Sequence, residues 1–357
     1  MKLEEIKVYL VRLPLVVPYR VSQKVHTEFT PIVIEARGGD GRVGWGEAYI
    51  STGYSKETID VGWDFCTRFA AQFAAGDSLG LRGALVEHRR ESTSGASAML
   101  AALDMLERNP ILELDAHARI PLLAPCQAHE PAAIRDEISR LIDEGFTTLK
   151  VKVGFGVDAD LERVAHIQDA VSGRATLRLD ANRGFNRDDG RAFASRLEPA
   201  GIELFEQPCA SDDWESNAAV AEVSTVPVML DESIYDVADI DRAAAIKGVG
   251  FVKLKLKKMG SVAMLKSALE RIRKLGMTPV IGDGVSVEIG CWMEACVARL
   301  AVDNAGENNG FLKPRAHLFT QPLPFVNGGI ELRAGYWPEI DRSVLAAHTV
   351  KTERFSR

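Results

Sequence analysis

Four short segments near the middle of the chain decide the fold: ATLRLDA at 175–181, GIELFEQ at 201–207, VPVMLDE at 226–232 and GFVKLKL at 250–256. Each is a mostly apolar run that carries charged residues at or near its end, and a stretch with helical periodicity follows each one. Continuous apolar runs are typical of strands that are buried on both faces by helices. The alternation therefore predicts parallel strands joined by helices.

The same alternation continues on both sides of these four segments. The further runs are IPLLAPC at 120–126, TTLKVKV at 147–153, MTPVIGD at 277–283 and a last one near Asn309–Leu312. We expect the connecting helices at Ala132–Glu144, Asp158–Val171, Arg187–Leu197, Trp214–Val223, Val237–Ile246, Ser261–Leu275 and Val287–Val302. Eight strands at a regular spacing favour a closed (β/α)8 TIM-like barrel over an open sheet, and we place this barrel at residues 116–321.

The regions that flank the barrel have a different pattern. Residues 1–115 contain β-branched runs, a Gly/Asp-rich turn between residues 36 and 42, and a helix predicted at Ala96–Arg108, which together indicate an α+β domain. Residues 322–357 begin with LPFVNGGIELRAG at 323–335, a probable hairpin in a segment that we expect to pack back on the first domain.

The composition is that of a globular protein and narrows the classes of partner. The 357 residues are 46% hydrophobic and 26% charged, with a formal net charge of −7. An acidic balance argues against nucleic acid and anionic membranes, because both reward basic surfaces. No run of 18 apolar residues exists, and the first residues lack the apolar core of a signal peptide, so we expect a cytoplasmic protein. The five cysteines form no CxxC pair, so neither a zinc site nor a disulfide framework is indicated.

Three carboxylates end consecutive predicted strands. Asp180, Glu206 and Asp231 are separated by 26 and 25 residues, about one strand–helix unit each, so they should meet at the C-terminal rim of the barrel, where active sites form. Converging acids repel one another unless a cation lies among them. Ligation by oxygen alone favours a hard ion, Mg²⁺ first and Mn²⁺ second. The alternative for each acid taken singly is capping of the following helix.

Lysines flank this trio on the neighbouring strands. Lys150 and Lys152 alternate with apolar residues, so both should point into the barrel, where crowding of two cations is expected to lower their pKa values and provide a base. Lys253 and Lys255 share strand parity on the sixth strand, so alternation does not choose between them. The alternative for an isolated strand lysine is a snorkelling edge residue. Lysines on both sides of three acids indicate two proton-transfer groups.

The strings LKVKVG (149–154), LRLDANRGF (177–185), FEQPC (205–209), LDES (230–233) and VKLKLKKMG (252–260) resemble those of the enolase superfamily, specifically its muconate-lactonizing branch. GWGEA at 44–48 is similar to a hairpin of the family's capping domain, so the resemblance covers most of the chain. It implies an N-terminal capping domain, Mg²⁺ on the carboxylate trio, and lysines on opposite faces of the substrate. By this resemblance the trio is Asp180, Glu206 and Asp231, the two opposed lysines are Lys152 and Lys255, and Lys150 assists.

The family pattern also chooses between the two lysines of the sixth strand. It places its lysine five residues before a glycine, and counting back from Gly260 gives Lys255. Lys253 then stands where the family often has a small polar residue, and it is a candidate substrate contact. Gly282-Asp283-Gly284 contains no histidine, which argues against a sugar-acid dehydratase and leaves Asp283 as a second candidate.

Other residues are candidates for substrate recognition. Glu307-Asn308-Asn309-Gly310 resembles a Glu-Leu-x-Gly segment of muconate cycloisomerases and lacks the Asp-x-Asp with which dipeptide epimerases hold a substrate amine. Glu288, on the helix after the seventh strand, suits a surface role and a site role equally. The remaining candidate contacts are Asn182 on the rim, Glu307 in this segment, and Arg20, Lys24 and Tyr54 in the loop regions 20–29 and 50–55.

Together these features imply removal of the proton α to a substrate carboxylate by a lysine, through an enediolate. We expect an isomerase of the muconate cycloisomerase or racemase type, acting on a small carboxylate or an N-acyl amino acid. A lyase that eliminates a β-group is the first alternative, and an inactive binding barrel is the second. We expect a small carboxylate as partner, neither nucleic acid nor membrane, and assembly into a homo-oligomer.

Overall fold

The computed structural model describes residues 2–21, 24–52, 57–76 and 80–357, without the side chains of Arg20, Val21 and Lys24. Its first part is an antiparallel sheet with helices on one side. The elements are β1 (Leu3–Val11), β2 (Leu13–Val21), β3 (Lys24–Phe29), β4 (Ile32–Gly38), β5 (Val43–Ala48), α1 (Ile59–Ala74), α2 (Leu81–Glu87) and α3 (Thr93–Leu106).

The second part alternates strands and helices in the way that the sequence predicts. Its elements are β6 (Ala118–Pro121), β7 (Ala124–Cys126), α4 (Pro131–Asp143), β8 (Thr148–Lys152), α5 (Val157–Val171), β9 (Thr176–Asp180), α6 (Arg187–Arg196), β10 (Ile202–Glu206), α7 (Trp214–Val223), β11 (Val228–Leu230), α8 (Val237–Ala244), β12 (Val249–Leu254), α9 (Leu256–Met259), α10 (Val262–Lys274), β13 (Thr278–Ile281) and α11 (Glu288–Ala301). The seven barrel helices predicted from periodicity begin and end within two residues of the observed helices.

Strands β7 to β13 form one parallel sheet in sequence order, which curls into a barrel. The predicted eighth strand near Asn309–Leu312 is wrong in position, because residues Gly310–Leu312 form a 3-10 turn. The barrel closes a few residues earlier. Gly306 bridges Leu122 in parallel, and the amide of Glu307 donates to the carbonyl of Ile281 over 2.9 Å. Only a few residues around Gly306 pair with the first and seventh strands of the barrel. The sequence therefore shows no apolar run at this closing strand.

The C-terminal region contains β14 (Phe325–Val326), β15 (Gly329–Leu332), α12 (Arg342–His348) and β16 (Thr349–Ser356). β14 and β15 form the expected hairpin through Asn327 and Gly328, both at positive φ, as two-residue hairpin turns require. The hairpin pairs through β15 with β6 in a separate three-stranded sheet, whereas β16 pairs with β1 and completes the first sheet, in the order β16-β1-β4-β5. The domain boundaries at 115 and 321 stay predictions.

One hydrophobic core lies within the cap, and a larger one joins the barrel to cap residues such as Phe29, Trp45 and Tyr49. Helix α3 packs between β5 and helix α9 of the barrel. The GWGEA strand approaches this helix closely. A Cβ atom on Gly44 would lie 2.1 Å from the carbonyl oxygen of Ala102, and one on Gly46 would lie 2.0 Å from that of Ala98. The two glycines are therefore required for packing. Among the described residues no helix is long and apolar enough to cross a membrane.

Candidate active site

Parallel strands bring the predicted site residues to the C-terminal rim of the barrel. Lys152 at the end of β8 is in register with Asp180 at the end of β9, and Asp180 is in register with Glu206 at the end of β10. Asp231 directly follows β11, and Lys253 lies in β12. The rim is where active sites form in such barrels, because the loops that follow the strands surround it.

Lys150 lies among three carboxylates and is buried. Its Nζ is 2.9 Å from Asp180 Oδ2, 2.9 Å from Glu206 Oε2 and 2.8 Å from Glu307 Oε2. Burial alone would lower the pKa of Lys150, but these carboxylates outweigh burial and raise the pKa above its ordinary value. The expectation that lysine crowding lowers this pKa is therefore wrong, because Lys150 is in contact with three carboxylates.

Lys152 is the more accessible lysine of β8, with 22% of its side chain exposed. Its Nζ contacts Asp180 Oδ2 and the side-chain oxygen of Asn182. Asn182 also donates from its backbone amide to Asp180 Oδ1 at 2.8 Å and from Nδ2 to Glu232 Oε1 at 3.1 Å. Lys152 is thus held at the rim, and the structure brings the predicted residue Asn182 into the site.

Asp231 is surrounded by lysines on the opposite side of the rim. Lys255 Nζ is 2.8 Å from its Oδ2, and Lys258 Nζ is 2.8 Å from its Oδ1. Burial raises the pKa of Asp231, but the lysines outweigh burial and hold that pKa well below its usual value. At Lys258 burial is the larger effect, and it lowers the pKa of the ammonium group to about 8.

Lys258 is a site residue that the sequence analysis missed. It lies in α9, a single turn that directly follows β12 and points the Lys258 side chain back to Asp231. Helical spacing from Lys255 was the signal that could have found it, because residues three apart on a helix share a face.

Lys253 lies between the two sides of the rim. Its Nζ is 2.8 Å from Glu206 Oε1 and 3.5 Å from Asp231 Oδ2, and it forms an ion pair with Glu307. Glu307 follows the bridge that closes the barrel, so it enters the site from the strand position opposite β10. The structure therefore places both of these predicted contacts inside the charged cluster.

The other predicted contacts lie differently. Asp283 is buried and pairs with Lys257 at 2.7 Å, beside the cluster of rim lysines. Glu288 is buried, so the surface alternative is wrong; its carboxylate accepts from the amide of Phe319 at 3.0 Å, which is a structural contact. Tyr54 and the side chains of Arg20 and Lys24 lie outside the described residues.

The chemistry of the donor set suits a hard cation. Asp180, Glu206 and Asp231 are buried, come from adjacent strands and offer only oxygen, which is the kind of ligand that Mg²⁺ prefers. Their oxygens are, however, turned to ammonium groups, and in the described part of the chain no three His, Cys, Asp or Glu side chains already form a metal cage. The residues fit a divalent cation by type and position, provided that ammonium groups move aside.

A capped (β/α)8 barrel with three acids on consecutive strands, and lysines on the strands on either side, is the arrangement of an enolase-superfamily fold. Residues 133–336 match the family described as enolase C-terminal domain-like, and the chain belongs to this family. A hydrophobic dipeptide epimerase from Citrifermentans bemidjiense is 30% identical over 314 residues, which are 81% of this chain and 81% of the relative.

Two solved structures share the fold over almost the whole chain. A dipeptide epimerase from Cytophaga hutchinsonii, complexed with Mg and the dipeptide D-Ala-L-Val, has a TM-score of 0.87 at 19% identity and covers 100% of both chains. A muconate lactonizing enzyme from Pseudomonas fluorescens, complexed with muconolactone, has a TM-score of 0.86 at 22% identity and covers 98% of this chain and 99% of its own. The expected fold is confirmed.

Proposed function

We propose that this protein is an isomerase that inverts the carbon next to the carboxylate of a small substrate. The observation that carries the proposal is the opposition of two lysines across the rim. Lys152 contacts Asp180 on one side, and Lys255 contacts Asp231 at 2.8 Å on the other. One lysine takes the α-proton from one face, and the other returns a proton to the opposite face.

Neighbouring groups prepare this transfer. Lys150, buried and with a raised pKa, stays protonated and supplies a fixed positive charge beside the enediolate of the substrate. One such preorganised donor is typically worth about 3 kcal/mol, so several have to act together on a weak carbon acid. Asp180, Glu206 and Asp231 would hold Mg²⁺, or Mn²⁺ in its place, which supplies a Lewis acid for the substrate carboxylate. Asn182 keeps the Lys152 side chain oriented.

For the substrate, an N-acyl amino acid or another small carboxylate without a free amine fits this site best. The relative from Citrifermentans bemidjiense is named for epimerisation of hydrophobic dipeptides, which favours inversion over lactonisation. The Asp-x-Asp for a substrate amine is absent, and Glu307 at that place is occupied by Lys150 and Lys253. We propose that the segments with Arg20, Lys24 and Tyr54, and Asp283 beside the rim, select among such substrates.

Exchange of the α-hydrogen in D₂O, followed by NMR over a library of N-acyl amino acids, dipeptides and other small carboxylates, tests the proposal. We expect exchange and inversion of at least one N-acyl amino acid, loss of both after EDTA treatment, and recovery with Mg²⁺. Full turnover by metal-free protein would contradict the metal assignment. Formation of an unsaturated product would instead identify the lyase alternative, and no exchange on any substrate would favour the inactive barrel.

A further inference from the structure

The ammonium group of Lys253 contacts carboxylate oxygens that would bind the proposed metal. It is buried in β12, and its Nζ contacts Glu206 at 2.8 Å and Asp231 at 3.5 Å, two of the three carboxylates of the trio. An ammonium group in contact with two ligand carboxylates is a direct competitor for a cation, because both bind the same oxygen atoms.

The charge of the cluster leads to the same conclusion. The ion pairs join five ammonium groups to four carboxylates, and Glu232, which accepts from Asn182 beside them, is a fifth acid, so the ammonium groups of the cluster are at least as many as its ionised acids. The ammonium groups belong to Lys150, Lys152, Lys253, Lys255 and Lys258, and the carboxylates to Asp180, Glu206, Asp231 and Glu307. Two unit charges 4 Å apart repel by about 4 kcal/mol at an effective dielectric constant near 20, so a divalent cation would enter against a like charge.

Glu307 is an ion-pair partner that Lys253 can keep when a cation enters. This carboxylate is outside the trio, and it already pairs with the Lys253 ammonium. Lys253 is also the lysine that departs from the family pattern, whereas Lys150 matches a position to which the resemblance gives an assisting role. The Lys253–Glu307 pair is thus an addition to the cation site.

We propose that Lys253 competes with the divalent cation for Glu206 and Asp231, and that the cation binds only when the Lys253 ammonium withdraws onto Glu307. The proposal rests on the metal assignment made above for the trio. It predicts that this chain binds divalent cations more weakly than its carboxylates alone would allow, and that a substrate carboxylate, by adding negative charge, strengthens that binding.

Titration of the full chain with Mn²⁺, with free Mn²⁺ measured by electron paramagnetic resonance, tests the competition without any substrate. We expect Lys253→Met to bind Mn²⁺ at least about tenfold more tightly than the parent, because a like charge is removed at contact distance. Lys253→Arg, which keeps the charge, should gain nothing. Lys257→Met is the matched control, a buried lysine whose acid partner is Asp283, and it should keep the parent affinity.

The variants separate this proposal from the metal assignment. Equal or weaker Mn²⁺ binding by Lys253→Met, with its thermal unfolding intact, would overturn the competition; Lys253→Gln replaces it should the Met variant not fold. Tight binding by Lys253→Met together with none by the parent would support the competition while removing Mg²⁺ from the parent's reaction. Tight binding by the parent with no gain in Lys253→Met would support the metal assignment and overturn the competition.

Discussion

The rim of the barrel and the interface between cap and barrel both bury carboxylates, but they neutralise them differently. At the rim, Asp231 is paired with lysines, and its pKa is lowered in spite of burial. At the cap–barrel interface, Glu47 of β5 accepts the amide of Val287 at 2.6 Å, and within the barrel Glu294 of α11 accepts that of Leu256 at 2.8 Å. Burial raises the pKa of both of these glutamates to about 8.

The difference between ammonium and amide partners indicates a different role for each group of buried acids. An ammonium partner keeps a buried acid ionised, whereas amide donors only partly offset the cost of burial. The rim therefore keeps its carboxylates and lysines ionised, and these charged groups can interact with a reacting substrate. Glu47 and Glu294 are largely protonated near neutral pH. Glu47 joins β5 to the segment before α11, and Glu294 joins α11 to the start of α9. Changes at the rim should then affect chemistry, and changes at the interface should affect stability.

Removal of a rim lysine should have the largest effect. Lys255→Ala should slow formation of the mirror product by roughly 10²–10⁴-fold, because a positioned proton-transfer group is lost. One enantiomer should still exchange its α-hydrogen with D₂O through Lys152. Lys152→Ala should show the complementary pattern, and NMR on each pure enantiomer measures both.

The result that would contradict this assignment involves the neighbouring lysine. If Lys255→Ala still formed the mirror product at a near-normal rate while Lys253→Ala lost it, the proton-transfer role would belong to Lys253. If one lysine variant kept exchange on both faces, the idea of two bases would fail.

A packing change inside the cap, where β5 meets α3, should affect stability instead. Gly46→Ala should lower the free energy of unfolding by about 1–3 kcal/mol, because the new methyl group meets the α3 backbone. Gly83→Ala is the matched control: it lies within α2 with nothing within 4 Å of the added Cβ, and alanine favours a helix. Urea unfolding of both variants makes the comparison. Equal stability of Gly46→Ala and the parent would show that β5 and α3 can separate at little cost.

The pH dependence of stability should show the smallest effect. Because the pKa of Glu47 is about 8 in the folded protein and 4.5 is its ordinary value, the folded state keeps a proton that the unfolded state releases. Stability from this group is therefore lost as pH rises from about 4.5 to about 8. Glu47→Gln should make this slope shallower, by about 1 kcal/mol for each pH unit within that range.

Unfolding free energies at several pH values between 5 and 8.5 measure the slope. Glu222→Gln, whose side chain is 70% exposed on α7, is the control and should keep the parent slope. An unchanged slope in Glu47→Gln would mean that this carboxylate is ionised in the folded protein, like the acids of the rim.

The sequence predicts the barrel well because its signal is local. Apolar runs and helical periodicity locate β8 to β13 and their helices, and the strand ends place Asp180, Glu206 and Asp231 on one rim. The closing strand was misplaced because Gly306 and its neighbours pair over too few residues to leave a pattern. Whether the trio binds metal and Lys152 and Lys255 move protons stays a prediction.

The balance of charges around the buried lysines and acids could not be predicted from the sequence. Counting Lys150 and Lys152 as a crowded pair neglected Glu307, which contacts Lys150 from a segment more than 150 residues away. Glu47 and Glu294 were missed for the same reason. Their donors are backbone amides, which every residue has and no sequence pattern reveals.

The pairing of β1 with β16 has a consequence for how the chain folds. β1 (Leu3–Val11) has β4 on one side, but its other neighbour is Thr349–Ser356, with the whole barrel between them in sequence. During synthesis, the edge of β1 therefore stays open until almost every other element has been made. Contacts this distant form slowly, and an unpaired edge invites pairing with other chains. The cap should be the last region to reach its native state, and refolding at high protein concentration should lose material to aggregation through this edge.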